Sequence, residues 1–281
     1  MIIEIDLHKN VEQNAGVYYD AAKKAKKKLL ATKSAIEDLE RQLGEAEIKQ
    51  EKDEKAKEIK KKAGKQEWYE KFRWFYSSEG FFCIGGRDAT TNELIMKKHT
   101  EKDDVVFHTE MAGSPFFVIK ANEKIPGEKT LKETAIATAS FSKAWKLGVG
   151  YTEVFSVKPE QVSKTPMTGE YLKKGSFMIY GRKERYNSEL KLAIGIYKSG
   201  SKDEDKENSR EANNEGKPMC GPEDAVAENC EKYVLIFPGN VKSSDVAKDI
   251  MKKLKVKVHP DEIIRILPAG GCKVGSEAKG R

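Results

Sequence analysis

The chain has 281 residues and a formal net charge of +7, with 35% charged and 38% hydrophobic residues. That length allows one large domain or two modest ones, and the basic excess favours phosphate-rich partners. No apolar run approaches the roughly 20 residues of a membrane helix, and Met1 to Asp6 lacks the basic start and apolar stretch of a secretory signal. A cytoplasmic protein without a membrane partner is expected. Cys83, Cys220, Cys230 and Cys272 form no Cys-x-x-Cys pair, which argues against zinc. Cys83 fits an apolar strand as a core thiol, and a Cys220–Cys230 bridge would need an oxidising compartment.

Val11, Ala15, Tyr18, Ala22, Ala25, Leu29, Thr32, Ile36, Leu39 and Leu43 recur in steps of four and three, a heptad seam. Beyond Gly44 a sparser stripe follows: Ile48, Ala56, Ile59 and Ala63. A narrow apolar stripe needs a partner, and the adjacent stretch is the nearest one. The pattern therefore predicts an antiparallel coiled-coil hairpin with its tip near Gly44. Residues 21–65 carry 15 Lys/Arg and 9 Asp/Glu, which suits either a solvated coil surface or an arm that contacts RNA or protein.

The aromatic block from Trp68 to Tyr76 puts Trp68, Phe72 and Phe75 on one helical face, with Arg73 and Trp74 among them. We expect these rings to dock the coiled-coil arm onto the next domain. After Ser77 to Gly80 the period shortens. Phe81 to Ile84, Glu93 to Met96, Val105 to His108 and Phe116 to Lys120 read as strands. Thr130, with Glu133 three residues later, signals the start of a helix running through Leu147 to Gly148. Tyr151 to Lys158, Gly175 to Gly181 and Leu190 to Tyr197 read as further strands. Residues 199–231 read as a flexible acidic linker. Tyr233 to Phe237 resumes order. A helix capped by Ser243 or Ser244 then reaches Leu254, Ile263 to Leu267 reads as a strand, and the tail from Gly275 as frayed.

The expected fold class is α+β: an antiparallel coiled-coil helical hairpin followed by a mixed α/β domain. The expected boundaries are a coiled-coil arm at 1–79, the mixed α/β domain at 80–198, the linker at 199–231 and a small C-terminal α/β extension at 232–281.

Gly85-Gly86-Arg87-Asp88 with Asn92-Glu93 is the sharpest local cluster. Two glycines let backbone approach a phosphate that Arg87 can pair with; equally, the segment suits a tight turn with Arg87 and Asp88 paired. His108 at a strand end suits RNA contact or a structural role better than acid–base catalysis, because no nucleophile or carboxylate pair accompanies it. Lys143 and Lys146 lie one turn apart near a helix C-terminus, where they also complement its dipole. Residues 141–185 hold 9 Lys/Arg and 4 Asp/Glu, and the hydroxyl- and lysine-rich loop from Val162 to Phe177 has the mixture that phosphate contacts use. No Walker loop, zincin helix, Rossmann fingerprint or nucleophile elbow occurs. No catalytic constellation and no cofactor are expected.

Several segments together resemble the NFACT family of ribosome-associated quality-control factors. They are Trp68-Tyr-Glu-Lys-Phe-Arg-Trp-Phe, Ser78-Glu-Gly-Phe, Ile84-Gly-Gly-Arg-Asp with Asn92-Glu93, Phe107-His108-Thr with Gly113-Ser114, and Ala139-Ser-Phe-Ser-Lys-Ala-Trp. Pro159-Glu-Gln-Val-Ser-Lys-Thr, Thr168-Gly-Glu-Tyr-Leu and Gly175-Ser-Phe-Met-Ile complete the set. They cover about residues 66–185. Asn14-Ala15, Tyr18-Tyr19 and the lysine-rich coil resemble the family's middle coiled coil, and Leu267-Pro-Ala-Gly-Gly is weakly similar to the tail of archaeal members.

The resemblance implies binding of tRNA and of the large ribosomal subunit with a stalled nascent chain, in support of template-free C-terminal tailing. The heptad seam and its charged surface add an expectation of contacts with other quality-control proteins through the coiled coil. The family's N-terminal domain and helix-hairpin-helix region have no counterpart in these residues, so tailing by this chain alone is not expected. The expected RNA-contacting residues are Arg73, Arg87, Asp88, Asn92, Lys97, His108, Ser142, Lys143, Lys146, Lys164 and Lys173. A coiled-coil adaptor without RNA contact is the rival expectation.

Overall fold

A computed structural model describes residues 4–8, 10–62, 67–165, 174–198 and 216–280. The chain divides into two units, Met1–Lys65 and Gln66–Arg281.

The first unit is built on α1 (Val11–Lys62), one continuous helix of 52 residues, about 78 Å long at 1.5 Å per residue. It opens on a capping box: Gln13 N donates to Asn10 Oδ1 at 2.7 Å, and Asn10 N donates to Gln13 Oε1 at 3.1 Å. The expected hairpin turn at Gly44 is not formed. A lone glycine costs a helix only about 1 kcal/mol, and Arg41, Gln42, Leu43, Glu45, Ala46 and Glu47 around it all favour helix. The heptad positions Val11, Tyr18, Leu29, Ile36 and Leu39 are exposed. The second stripe falls where side chains are not described.

The second unit begins with β1 (Arg73–Tyr76), β2 (Phe82–Gly85), α2 (Ala89–Lys98), β3 (Val105–Thr109) and β4 (Phe117–Lys120). It continues with α3 (Glu128–Ser140), α4 (Lys143–Leu147), β5 (Tyr151–Val157), β6 (Val162–Ser163), β7 (Met178–Ile179), β8 (Glu184–Glu189) and β9 (Leu192–Tyr197). After the gap come β10 (Lys217–Gly221), α5 (Glu223–Asn229), β11 (Cys230–Val241), α6 (Ser243–Leu254), α7 (Pro260–Ile266) and β12 (Cys272–Lys279). One antiparallel sheet has the order β1-β2-β4-β3-β5-β8, a second has β10-β9-β11-β12, and β6 and β7 form a hairpin.

Register sorts the first sheet's side chains between two faces, since paired residues share a face. Arg73, Gly85 and Phe117 align, as do Phe75, Cys83 and Ile119. Both sets face α3 and α4: Cys83 Sγ lies 3.5 Å from Thr134 Oγ1, and the Phe117 ring stacks on Phe141 at 5.9 Å. Tyr76, Phe82 and Lys120 align on the opposite face, where Lys120 Nζ donates to the His99 carbonyl at the end of α2. Phe72, Phe75, Phe107, Phe116, Phe117 and Trp145 are fully buried between the layers.

Several expected elements are corrected. The aromatic block is a turn followed by strand β1, not a helix, because Arg73 and three strand-favouring aromatic residues, Trp74, Phe75 and Tyr76, pair in register with β2. Its Phe72 and Phe75 fill the sheet unit's own core. Glu93 to Met96 lies in α2, whose start Asp88 fixes by accepting from Thr91 N at 2.8 Å; an apolar run that short does not distinguish strand from helix. The helix expected from Thr130 to Leu147 is two helices, broken at Ser142. Glu133 does not close a capping box. Its carboxylate accepts from Ser78 N, and Thr130 N donates to Glu79 instead.

Residues 216–231 are not linker. They form β10 and α5, with Met219, Cys220, Ala225 and Val226 buried. Residues 199–215 lie outside the described residues. Ile263 to Leu267 belongs mainly to helix α7, started by Pro260. The tail is strand β12, paired with β11. The C-terminal residues are therefore not a separate module, since β11 also pairs with β9. Nor does the arm reach residue 79, because β1 belongs to the sheet unit. All four cysteines are free and buried, so Cys220 and Cys230 form no bridge. Among the described residues no helix is long and apolar enough to cross a membrane.

Candidate nucleic-acid interface

Five of the expected contact residues turn out to build the fold. Gly86 exists for close approach: a Cβ there would sit 1.8 Å from Asn92 Oδ1. Asn92, on α2, is buried and accepts from Phe116 N at 3.1 Å, which ties α2 to the start of β4. Arg87 donates to the carbonyls of Arg265 at 2.9 Å, Phe72 at 2.9 Å and Glu70 at 3.3 Å. Asp88 is bound to Thr91 rather than to Arg87, and the Thr91 amide holds its carboxyl below the usual range.

Arg73 donates to the Ile266 and Leu267 carbonyls and lies over the Phe141 ring, 4.0 Å from its centroid. Burial, with repulsion from Arg87, brings its pKa down to about 10. Burial likewise brings Arg87 to about 10, with Arg265 as the repelling neighbour. Both remain cationic at neutral pH. Arg73, Arg87 and Arg265 thus gather where α7 ends, and the exposed carbonyls of that helix end carry partial negative charge. Ser142 is buried; its hydroxyl accepts from Ala144 N at 3.1 Å and caps α4.

His108 stacks on Phe116 at 4.2 Å, and burial lowers its pKa to about 4. A neutral, stacked imidazole at physiological pH fits the structural reading and offers no general acid.

Of the remaining lysines, Lys143, Lys146 and Lys97 are presented outward. Lys143 and Lys146 on α4 are exposed and make no ion pair among the described residues. Their helix is held from beneath: Trp145 is buried and its Nε1 donates to the Gly271 carbonyl at 3.1 Å. The α4 backbone at Lys146 passes close to Gly270, and the Lys143 stem lies beside Gly113. Exposed Leu147, Val149 and Tyr151 extend this basic edge.

A second basic element leans on α2. Glu93 Oε1 accepts from Lys164 Nζ at 2.5 Å and from Gly175 N at 2.9 Å. Lys97 approaches the same carboxylate at 3.7 Å while remaining 59% exposed. The Lys164 hydrogen bond, then the Gly175 amide, pull the Glu93 pKa to about 2. Both ends of the loop between β6 and β7 are thereby fixed to α2, and Lys164 also lies over Phe177. Lys173 falls outside the described residues. Sequence reasoning did not single out Arg265 or the anchoring of Trp145 by Gly271, because both depend on contacts across more than a hundred residues.

An antiparallel sheet flanked by helices thus presents outward lysines on a pinned short helix, with a strand pair docked on α2. Residues 71–181 match the family described as NFACT protein RNA binding domain. The archaeal Rqc2 homolog aRqcH of Methanocaldococcus jannaschii is 40% identical over 220 residues, covering 77% of this chain and 31% of that protein. The ribosome quality control complex subunit NEMF homolog of Drosophila melanogaster is 40% identical over 193 residues, covering 65% of this chain and 18% of that protein. Human ribosome quality control complex subunit NEMF is 41% identical over 177 residues, covering 60% and 16%. The chain belongs to the NFACT family and carries its RNA-binding domain. It spans 31% or less of the length of these relatives.

Proposed function

We propose that this chain is the RNA-binding module of a ribosome-associated quality-control factor. In this reading it engages tRNA and the large ribosomal subunit that carries a stalled nascent chain. The observation that supports it most is the pair Lys143 and Lys146: exposed, without carboxylate partners among the described residues, on a helix pinned to the core inside the RNA-binding match. Lys97, 59% exposed, adds charge beside the docked hairpin, while Lys164 is held by Glu93. Such contacts position phosphates without reading sequence. Template-free tailing is assigned to longer members, with this chain contributing RNA affinity.

Filter binding of tRNA and of purified large subunits by the full chain tests the proposal. The double variant Lys143→Glu/Lys146→Glu should weaken both and flatten their salt dependence. Unchanged binding would remove the assignment.

A second reading is supported by the exposed heptad stripe of α1, which suits a partner helix. Deleting residues 21–65 should then abolish capture of a protein partner and spare RNA binding; intact capture counts against it.

A further inference from the structure

The sheet face opposite α3 carries a groove of about 360 Å³, within the range of small-ligand sites. It is lined by the rings of Trp68, Tyr69, Tyr76 and Phe82 and by the turn from Ala121 to Lys124. That turn is rigid: Lys124 N donates to the Ala121 carbonyl at 2.9 Å, and Asn122 and Glu123 sit at φ 45° and 62°, the successive left-handed pair of a type I′ turn. Trp68 is braced on one side. It stacks on His99 at 4.5 Å and 14°, and meets Tyr69, Phe72 and Phe82 edge-on. It is nonetheless 47% exposed. A large ring so fixed and so exposed is a poor surface residue and a good stacking platform.

Charges of both signs surround it: Glu67 and Glu70 lie near Tyr69, and Glu70 is paired with Lys217. Lys71, Lys98 and Lys120 all lie close enough to hold His99 below its usual pKa, though burial is the larger cause. Lys120 is paired with Asp104. Lys71, Lys98 and Lys124 form no ion pair among the described residues. The one carboxylate lining the groove, Glu79, is engaged by the Thr130 amide and hydroxyl. Flat aromatic walls, with Lys124 in the lining and Lys71 and Lys98 beside the His99 that backs Trp68, complement a ligand that is planar and anionic together. Unpaired nucleotides have both properties.

We infer that this groove is a slot for one unstacked base of single-stranded RNA, stacked against Trp68, with Lys71, Lys98 and Lys124 meeting the flanking phosphates. The inference rests on the RNA-binding reading above and adds to it a preference for unpaired RNA, on the face opposite Lys143 and Lys146.

The test uses the full chain and two labelled RNAs of equal phosphate number, a single-stranded oligoadenylate and a fully paired hairpin. Trp68→Ala should weaken the single strand roughly tenfold, as expected for one lost base stack, and leave the hairpin unchanged. Trp68→Phe should restore most of that loss. Equal weakening of both RNAs, or no weakening of the single strand, overturns the slot while leaving the lysine interface standing. Failure of the wild-type chain to bind either RNA overturns both. Adenosine 5′-monophosphate should compete with the oligoadenylate. If N-acetylphenylalaninamide competes equally well, the groove belongs to an aromatic peptide side chain and the proposal is wrong.

Discussion

Ser142 to Lys146 and Gly85 to Asp88 both place cations beside the start of a helix, yet the two segments spend them differently. In the first, the Ser142 hydroxyl caps α4 and Trp145 turns inward to the Gly271 carbonyl. Lys143 and Lys146 are exposed and meet no acceptor among the described residues. In the second, Gly86 closes onto Asn92, Asp88 caps α2, and Arg87 donates to three carbonyls. What separates them is the supply of unsatisfied carbonyls nearby. The end of α7 offers several to the arginines, and their forked donors satisfy more than one at a time. A cation is available to a partner only where the fold leaves it no acceptor.

That contrast can be broken in order of expected effect. Gly86→Ala should be the most damaging change, costing about 3 kcal/mol or more, because its Cβ would overlap the Asn92 carboxamide that anchors β4. Urea denaturation reads this as a lowered midpoint. Arg87→Ala should cost about 3 kcal/mol by leaving partly buried carbonyls without donors. RNA affinity of the folded protein should hold. Loss of affinity with unchanged stability would reverse the roles given to the two segments.

Lys143→Glu/Lys146→Glu should do the opposite. Stability should change by about 0.5 kcal/mol or less, while the log–log salt slope of RNA binding falls by roughly two.

A separate effect, read by pH rather than by affinity, concerns His108. Its pKa is lowered to about 4 by burial, so the unfolded chain binds more protons between about 4 and the ordinary value of 6.5. Stability should therefore rise with pH through that window and be lost on acidification. His108→Phe should flatten this part of the profile in pH-dependent thermal melts.

Much of the fold was legible where pattern and burial coincide. Phe116 to Lys120 and Val105 to His108 form strands because uninterrupted apolar runs sit in the centre of the sheet. Leu190 to Tyr197 behaves likewise as the centre of the second sheet. The failures share a different cause. Residues 216–231 look polar, yet Met219 and Cys220 reach the core through pairing with β9, a contact no local pattern announces. Glu93 to Met96 was too short a run to reveal its period, and the signal that decides it, Asp88 with Thr91, lies upstream. α1 continues through Gly44 because one glycine is a weaker signal than its helix-forming neighbours.

The candidate site was half legible. Lys143, Lys146, Lys97 and Lys164 could be singled out by charge, and all four reach the surface or its margin. Arg73, Arg87 and Asn92 could not be sorted from them, since their partners are brought in by the fold: carbonyls at Arg265 to Leu267 for the arginines and the Phe116 amide for Asn92.

The central claim is that free lysines on α4, and not the arginines at the end of α7, carry RNA. The most direct measurement is the salt dependence of tRNA binding for the wild-type chain, Lys143→Glu/Lys146→Glu and Arg87→Ala, under conditions where each is folded. The account predicts a slope reduced by about two for the lysine pair and unchanged for Arg87→Ala. A reduced slope for Arg87→Ala with an unchanged slope for the lysine pair would contradict it.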